Sequence, residues 1–202
     1  MEKRRIFPSA EAELVELEEL DSGCEGRAWW ERSKEEIVLA PSVLKQIVEK
    51  YPKAHFDFHG HNDYDLGTAN VLEAVKAGVH GIHLTVNGMG ERAGNAPLAS
   101  AVAVLHDFLP QVKTGIDEKS LYQVSRLVET FTGFRIPDNK PVVGENVFTQ
   151  TAGIHADGDK KNNLYYNDLM PERFARQRKY ALGKTSGKSN IENNLAQLGI
   201  EL

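Results

Sequence analysis

The stretch HFDFHGHNDYD, residues 55–65, places three histidines and three aspartates among eleven residues. Successive side chains of a β-strand point to opposite faces, so Phe56 and Phe58 would share one face of a strand and the three histidines the other. His59 and His61, two positions apart on that face, can direct their ring nitrogens at one point, which is the spacing of metal ligands. Spacing alone supports metal ligands and ordinary surface or core histidines equally well.

The segments that flank this stretch alternate between helical and strand patterns. Helices are predicted over residues 42–52, 68–79 and 97–109, and a second strand over residues 79–88. Regular alternation of this kind indicates an α/β fold with a parallel sheet. Each predicted strand has an apolar and a polar face, as in a (β/α) barrel whose strand ends carry the active site. A doubly wound open sheet is the competing architecture.

The pattern changes near residues 110–117. Residues 117–133 predict an amphipathic helix that begins at Asp117 and ends at Gly133, and the chain beyond Pro137 is rich in loops. The predicted organisation is an unassigned segment at residues 1–40, a barrel portion at 41–112 and a mainly helical, loop-rich subdomain at 113–202.

Composition and charge exclude several classes of function. The net charge is −5 and the basic residues are scattered, which argues against a protein that reads nucleic-acid backbones. No run approaches the roughly 20 apolar residues that a membrane span requires, and the start of the chain turns acidic where a signal peptide turns apolar. We therefore expect a cytoplasmic protein that binds neither nucleic acid nor membrane. Cys24 is the only cysteine, and its acidic neighbours disfavour the thiolate of a catalytic nucleophile.

The loop NGMGERAGN, residues 87–95, follows the second predicted strand. Its glycines are spaced one residue too far apart for a dinucleotide-binding fingerprint, which leaves a tight polar loop at a strand end. Asn87 and Asn95 offer amide oxygens there. Two imidazoles and an amide oxygen suit Zn²⁺, Mn²⁺ or Mg²⁺, and Asp57 and Asp63 are the local candidates for an added carboxylate ligand.

Four motifs carry a family resemblance: HGHNDYDLGTAN, TVNGMGERAGNAPL, GENVFTQTAGIHADG and LGKTSGKSNI. Through them the chain resembles the 2-isopropylmalate synthase family over about residues 42–202. Homocitrate and citramalate synthases are close relatives of that family. The resemblance implies a metal-dependent barrel enzyme, an acyltransferase that joins acetyl-CoA to a 2-oxo acid. It also implies 2-oxoisovalerate as the 2-oxo acid, leucine biosynthesis as the pathway, a divalent ion (Mg²⁺, Mn²⁺ or Zn²⁺) as cofactor, and a homodimer as the complete enzyme.

The resemblance further implies roles for individual residues. His59 and His61 would be metal ligands on the seventh barrel strand, and Asn95 would be the third ligand, after the eighth strand. His155 would take part in proton transfer from acetyl-CoA, assisted by Tyr166. The residues expected to shape the site around them are Asn62, Asp63, Thr85, Glu91 and Arg92. Composition and periodicity alone give His155 no such role, since they describe it as an ordinary loop histidine.

The first six strands of such a barrel, with the Arg and Asp of its opening strand, have no counterpart in residues 1–40. The chain therefore looks like the C-terminal half of a synthase catalytic region, which we expect to be inactive in isolation and to bind metal weakly at best. A related lyase that cleaves a hydroxymethylglutaryl-type thioester is a second interpretation, disfavoured because residues 87–95 lack a cysteine. A third interpretation is a non-catalytic remnant or interaction fragment.

Overall fold

The computed structural model describes residues 41–161 and 168–200, together with two short paired strands, β1 (Arg5–Ile6) and β2 (Trp29–Trp30). The other strands of the described residues are β3 (Asp57–His59), β4 (Gly81–His83), β5 (Thr149–Gln150) and β6 (Lys179–Tyr180). The α-helices of these residues are α1 (Pro41–Lys50), α2 (Gly67–Lys76), α3 (Leu98–Phe108), α4 (Leu121–Thr132), α5 (Gly153–Lys160) and α6 (Lys188–Gln197).

Strands β3 and β4 form a parallel pair joined by helix α2, which is the βαβ unit that the alternating sequence pattern predicts. Phe58 lies opposite Ile82, and His59 lies opposite His83. In β3 the apolar Phe58 is half-buried while its neighbours on either side are exposed, so the two-faced strand is confirmed. The second strand is shorter than predicted, because the chain turns into a 3-10 helix at Val86–Gly88.

The apolar faces of this unit pack on α2 and α3. The three helices predicted around the strands are confirmed, and Gly78 adopts the left-handed conformation (φ 96°) expected after α2. The first core cluster consists of Val71, Ala96, Ala101, Leu105 and Leu109, with Phe58, Leu72, Val75, Ile82, Leu84 and Val112 packed against it. This core supports the ends of β3 and β4, where the predicted site lies.

Helix α4 follows a 3-10 turn at Glu118–Ser120 and ends before Gly133, as the sequence predicts. The Asp117 carboxylate accepts a hydrogen bond from the Lys119 amide (3.1 Å), and Gly133 is left-handed (φ 69°). The second core cluster consists of Ala99, Val102, Ala103, Leu121, Ile136, Val142, Val143, Phe148 and Phe174. Helix α3 therefore contributes to both cores and joins the βαβ unit to the residues that follow it.

The segment GIHADGDK, for which the sequence predicts a loop around His155, is instead helix α5. Its two glycines lower the helix propensity, but tertiary packing overrides that preference, since Ala156 is fully buried and α5 packs on α6. Gly153 lies close to Gly187, because a Cβ on Gly153 would come within 2.7 Å of the Gly187 nitrogen. Helix α6 is a further helix that the sequence pattern does not predict.

The parallel β3–β4 pair and its flanking helices confirm the α/β class. The closure of eight strands into a barrel and the domain boundary after residue 112 stay predictions. Within residues 41–161 and 168–200, no helix is long and apolar enough to cross a membrane.

Candidate functional site

Three histidines meet at the ends of β3 and β4. The His59 ring lies edge-on to the His61 ring with 5.1 Å between centroids, and its centroid is 5.8 Å from that of His83. His83 sits opposite His59 in the strand register, so both strands contribute a polar side chain. The predicted pair is thus brought together, and His83 joins it as a residue that sequence reasoning did not assign to the site.

The loop after β4 folds back onto the end of β3 and brings Asn95 beside His61. An antiparallel bridge pairs these two residues, and next to it the Ala96 amide donates to the Gly60 carbonyl over 3.0 Å. The Nδ1 atom of His61 and the Oδ1 atom of Asn95 are both buried, and neither has a hydrogen-bond partner within the described residues. Buried polar atoms are normally paired, so these two atoms are candidates to coordinate an ion.

The loop also fixes the orientation of the Asn95 amide. Its Nδ2 donates to the Met89 carbonyl over 3.1 Å, which leaves Oδ1 as the free end. The Met89 carbonyl in turn accepts from the Thr85 hydroxyl over 2.6 Å. Gly94 permits the loop to close, because a Cβ there would overlap the carbonyl oxygen of Gly88. The loop therefore presents an amide oxygen in a defined orientation.

The chemistry of these donors fits a divalent ion. Partial burial, and then repulsion from His61 and His83, lowers the pKa of His59, and the neutral imidazole so favoured is the form that binds metals. Two imidazole nitrogens and an amide oxygen are compatible with Zn²⁺, Mn²⁺ or Mg²⁺. In the described part of the chain no three His, Cys, Asp or Glu side chains are grouped to hold a metal, so Asn95 would have to complete the set.

Both local carboxylates are paired with neighbouring side chains. Asp63 forms a two-pronged ion pair with Arg92, with N–O distances of 2.8 and 2.9 Å, and this hydrogen bonding lowers the pKa of Asp63. Asp57 has one oxygen 2.9 Å from His55 Nε2 and the other 3.4 Å from His83 Nε2. An ion that recruited either carboxylate would share it with these partners.

The residues predicted to shape the site lie around this loop. The Asn62 side-chain oxygen accepts from the Gly67 amide over 2.9 Å, so Asn62 fixes the start of α2. Thr85 and Arg92 hold the loop through the contacts described above. Glu91 is exposed. The structure therefore shows contacts that brace the loop for Thr85 and Arg92, and a contact at the start of α2 for Asn62.

One candidate donor, Asn87, has its side chain engaged elsewhere. Its Nδ2 donates to the Ser125 carbonyl in α4 over 3.0 Å, and the Ser125 hydroxyl donates to its Oδ1. The sequence contained a signal for the overlooked His83, which falls on the polar face of the second predicted strand. It contained none for Ser125, because a small polar residue in an amphipathic helix has no expected long-range partner.

Of the two residues expected to move protons, only His155 is described, and it lies outside this group. His155 is exposed in the first turn of α5, the helix that packs on α6. Tyr166 falls among residues 162–167, which lie outside the described residues. The structure thus brings together the candidate metal ligands, and it places His155 on a different set of elements.

The sequence matches two known families, one after the other along the chain. Residues 38–128 match the HMGL-like family, and residues 142–202 match the homocitrate synthase post-HMGL domain-like family. The first range contains the histidine cluster and the loop with Asn95. The second contains His155, Tyr166 and helices α5 and α6.

The chain is also similar to several curated synthases. A Methanopyrus kandleri protein named as an (R)-citramalate synthase is 48% identical over 170 residues, which are 82% of this chain and 33% of that protein. An Ignicoccus hospitalis protein named as a 2-isopropylmalate synthase is 48% identical over 166 residues, 80% of this chain and 41% of that protein. A Sulfolobus acidocaldarius homocitrate synthase is 38% identical over 170 residues, 82% of this chain and 36% of that protein.

The chain spans 33% to 41% of the length of these three relatives. The two family matches occur in sequence order, and the relatives are the synthases that the four motifs resemble. The chain therefore belongs to the family of 2-isopropylmalate, citramalate and homocitrate synthases.

Proposed function

We propose that this chain carries the metal-binding end and the post-barrel part of an acyltransferase of the 2-isopropylmalate synthase type. The reaction is the condensation of acetyl-CoA with 2-oxoisovalerate, a step of leucine biosynthesis. The complete enzyme would be a cytoplasmic (β/α)8 barrel that acts as a homodimer. The family match and the names of the relatives support this proposal.

The observation that carries the proposal is the pair of buried, unpartnered atoms, His61 Nδ1 and Asn95 Oδ1. Their two residues are paired by the antiparallel bridge, and the His61 ring contacts that of His59. An unpaired buried polar atom costs about 1–3 kcal/mol, so two such atoms in bridged residues are well explained by a ligand that pairs with both. A divalent ion is a ligand of this kind.

When bound, the ion would polarise the keto group of the 2-oxo acid as a Lewis acid. His59, His61 and Asn95 would hold it as neutral ligands, so that its charge remains available to the substrate oxygens. Arg92 and Asp63 neutralise each other through their ion pair, and their part would be to brace the loop.

His155 would accept a methyl proton of acetyl-CoA, with assistance from Tyr166. The electron pair of the broken C–H bond would form the new bond to the keto carbon of the 2-oxo acid, and the keto oxygen would take up a proton. Water would then cleave the thioester, which releases CoA and leaves a second carboxylate on the product. His155 is exposed, so its ring is accessible to a thioester substrate.

The test is a chimera built on the Ignicoccus hospitalis relative, in which the 166 matched residues are replaced by those of this chain. We expect the chimera to release CoA from acetyl-CoA when 2-oxoisovalerate is supplied, and His61→Ala or a chelator to abolish that release. The matched control is His106→Ala, which removes an exposed histidine of α3. A folded chimera that releases no CoA with any 2-oxo acid, beside an active parent, would refute the proposal.

Citramalate synthesis, with pyruvate as the 2-oxo acid, is a second candidate function. The observation in its favour is the 48% identity to the Methanopyrus kandleri relative. The same chimera distinguishes the two candidates through kcat/KM for pyruvate and for 2-oxoisovalerate, with 2-oxoglutarate as the substrate of the homocitrate alternative. Lyase chemistry is disfavoured, because the loop at residues 87–95 contains no cysteine.

A further inference from the structure

A pair of hydrogen bonds joins the loop that carries Asn95 to helix α4. Asn87 Nδ2 donates to the Ser125 carbonyl over 3.0 Å, and the Ser125 hydroxyl donates to Asn87 Oδ1. Ser125 is only 2% exposed and Asn87 is half-buried, so this contact is partly shielded from water that would compete for the bonds. The contact links two residues 38 positions apart in the chain.

The backbone of Asn87 needs support of this kind. Asn87 is left-handed (φ 60°), and so is the following Gly88 (φ 73°). The left-handed region is unfavourable for a residue with a Cβ, although asparagine tolerates it better than most. A side chain held at both its oxygen and its nitrogen fixes the backbone of Asn87 in that conformation.

The conformation at Asn87 is transmitted to Asn95 through a short chain of contacts. Gly88 follows directly, and its carbonyl accepts from the Asn95 amide over 3.1 Å. Gly94 touches the same carbonyl so closely that no side chain would fit there. The position of the Gly88 carbonyl therefore determines the position of Asn95 and of its unpartnered Oδ1 atom.

We propose that Ser125 is a positioning residue for the candidate metal site, and that it acts through Asn87 on the loop that presents Asn95. In this way helix α4 would orient a candidate ligand at the end of strand β4. The inference rests on the proposed function, because it takes Asn95 Oδ1 as a ligand. The bonds between Asn87 and Ser125, which we call the Asn87–Ser125 contact, can be tested without any metal.

The first measurement is amide hydrogen exchange in the full 202-residue chain. Ser125→Ala should speed exchange of the Asn95 amide about fivefold, the effect of losing one net hydrogen bond. The reference is the Gly133 amide at the end of α4, which donates to the Glu129 carbonyl over 2.9 Å and should change less than twofold. Thr130→Ala is the control variant, because its hydroxyl bonds only within α4, to the Arg126 carbonyl.

A second variant separates side-chain loss from backbone strain. Asn87→Gly keeps a residue that adopts φ 60° freely but removes both bonds to Ser125. It should speed exchange of the Asn95 amide as Ser125→Ala does, and the double variant should add little more. Unchanged exchange in both single variants would overturn the proposal. Equal acceleration at the Gly133 amide would also overturn it, since the role would then be general stability.

The metal measurement uses Mn²⁺ alone and the same substitutions in the chimera described above, because the isolated chain is expected to bind metal weakly at best. Ser125→Ala should weaken Mn²⁺ binding several-fold, with Thr130→Ala matching the unsubstituted chimera. Equal Mn²⁺ affinity in all three chimeras, together with faster Asn95 exchange in Ser125→Ala, would overturn the positioning role. A folded, unsubstituted chimera that binds no Mn²⁺ would refute the ligand assignment, and the exchange rates alone would then decide whether the Asn87–Ser125 contact holds the loop.

Discussion

Replacing Gly94 by alanine should damage the loop that presents Asn95 far more than the backbone conformation of Gly94 alone would suggest. Gly94 is left-handed (φ 84°), and an added Cβ would overlap the Gly88 carbonyl oxygen. The left-handed conformation costs alanine roughly 1–2 kcal/mol. Forcing a backbone atom aside adds about 1–3 kcal/mol, the range for overpacked sites. The expected loss of unfolding free energy is therefore about 2–5 kcal/mol.

Gly133→Ala is a matched control within the same chain. Gly133 is also left-handed (φ 69°), but an added Cβ would meet nothing within 4 Å. Only the cost of the left-handed backbone conformation applies there, so the expected loss of unfolding free energy is about 1–2 kcal/mol. The difference between the two variants isolates the contact of Gly94 with the Gly88 carbonyl.

The assay is urea unfolding of both variants and the parent chain, with linear extrapolation to water. Gly94→Ala should unfold at clearly lower urea concentration than Gly133→Ala, with the amide of Asn95 losing its exchange protection. Equal unfolding midpoints for the two variants would refute the reasoning, because the loop would then not be closed by the approach of Gly94 to Gly88.

Three further predictions concern other residues of the chain. In the chimera described above, His155→Ala should lower turnover about 10²–10⁴-fold; similar losses in turnover and in 2-oxo acid binding would instead mean that His155 positions substrate. The pKa of Glu145 is lowered by hydrogen bonds from Lys179 (2.6 Å) and Tyr122 (2.9 Å), so its contribution to stability is present above its ordinary pKa of 4.5 and is lost as pH falls through the lowered value. Glu145→Gln should therefore reduce stability at pH 7 and match the parent at low pH in urea unfolding, and a constant difference across pH would contradict this assignment. Phe174→Ala should cost about 3–5 kcal/mol of unfolding free energy, because Phe174 is fully buried in the second core; a loss below about 1 kcal/mol would contradict that burial.

Local patterns in the sequence were enough to predict the βαβ unit and the pairing of His59 with His61. The alternation of apolar and polar residues in β3 is a two-residue period, and the helices around it end at left-handed glycines such as Gly78 and Gly133. Both signals act within a few residues, so they do not depend on the rest of the fold.

Features that depend on distant contacts could not be read from local patterns. The bridge between His61 and Asn95 requires the loop after β4 to fold back on β3, so local patterns left Asn87 and Asn95 as equal candidates. The choice of Asn95 as a ligand came from resemblance to a family. The Asn87–Ser125 contact joins two elements with no shared sequence signal. Helix α5 was predicted as a loop because its glycines lower helix propensity, whereas packing of the buried Ala156 decides its conformation.

The central claim is that His59, His61 and Asn95 hold a divalent ion. The most direct test is a Mn²⁺ titration of the chain followed by NMR of its seven histidine rings, because paramagnetic broadening detects even weak binding at a defined place. We predict that the ring signals of His59 and His61 broaden first and saturably, that those of His106 persist, and that His61→Ala abolishes the selective broadening at His59. Broadening spread evenly over all the histidines, or unchanged by His61→Ala, would contradict the claim.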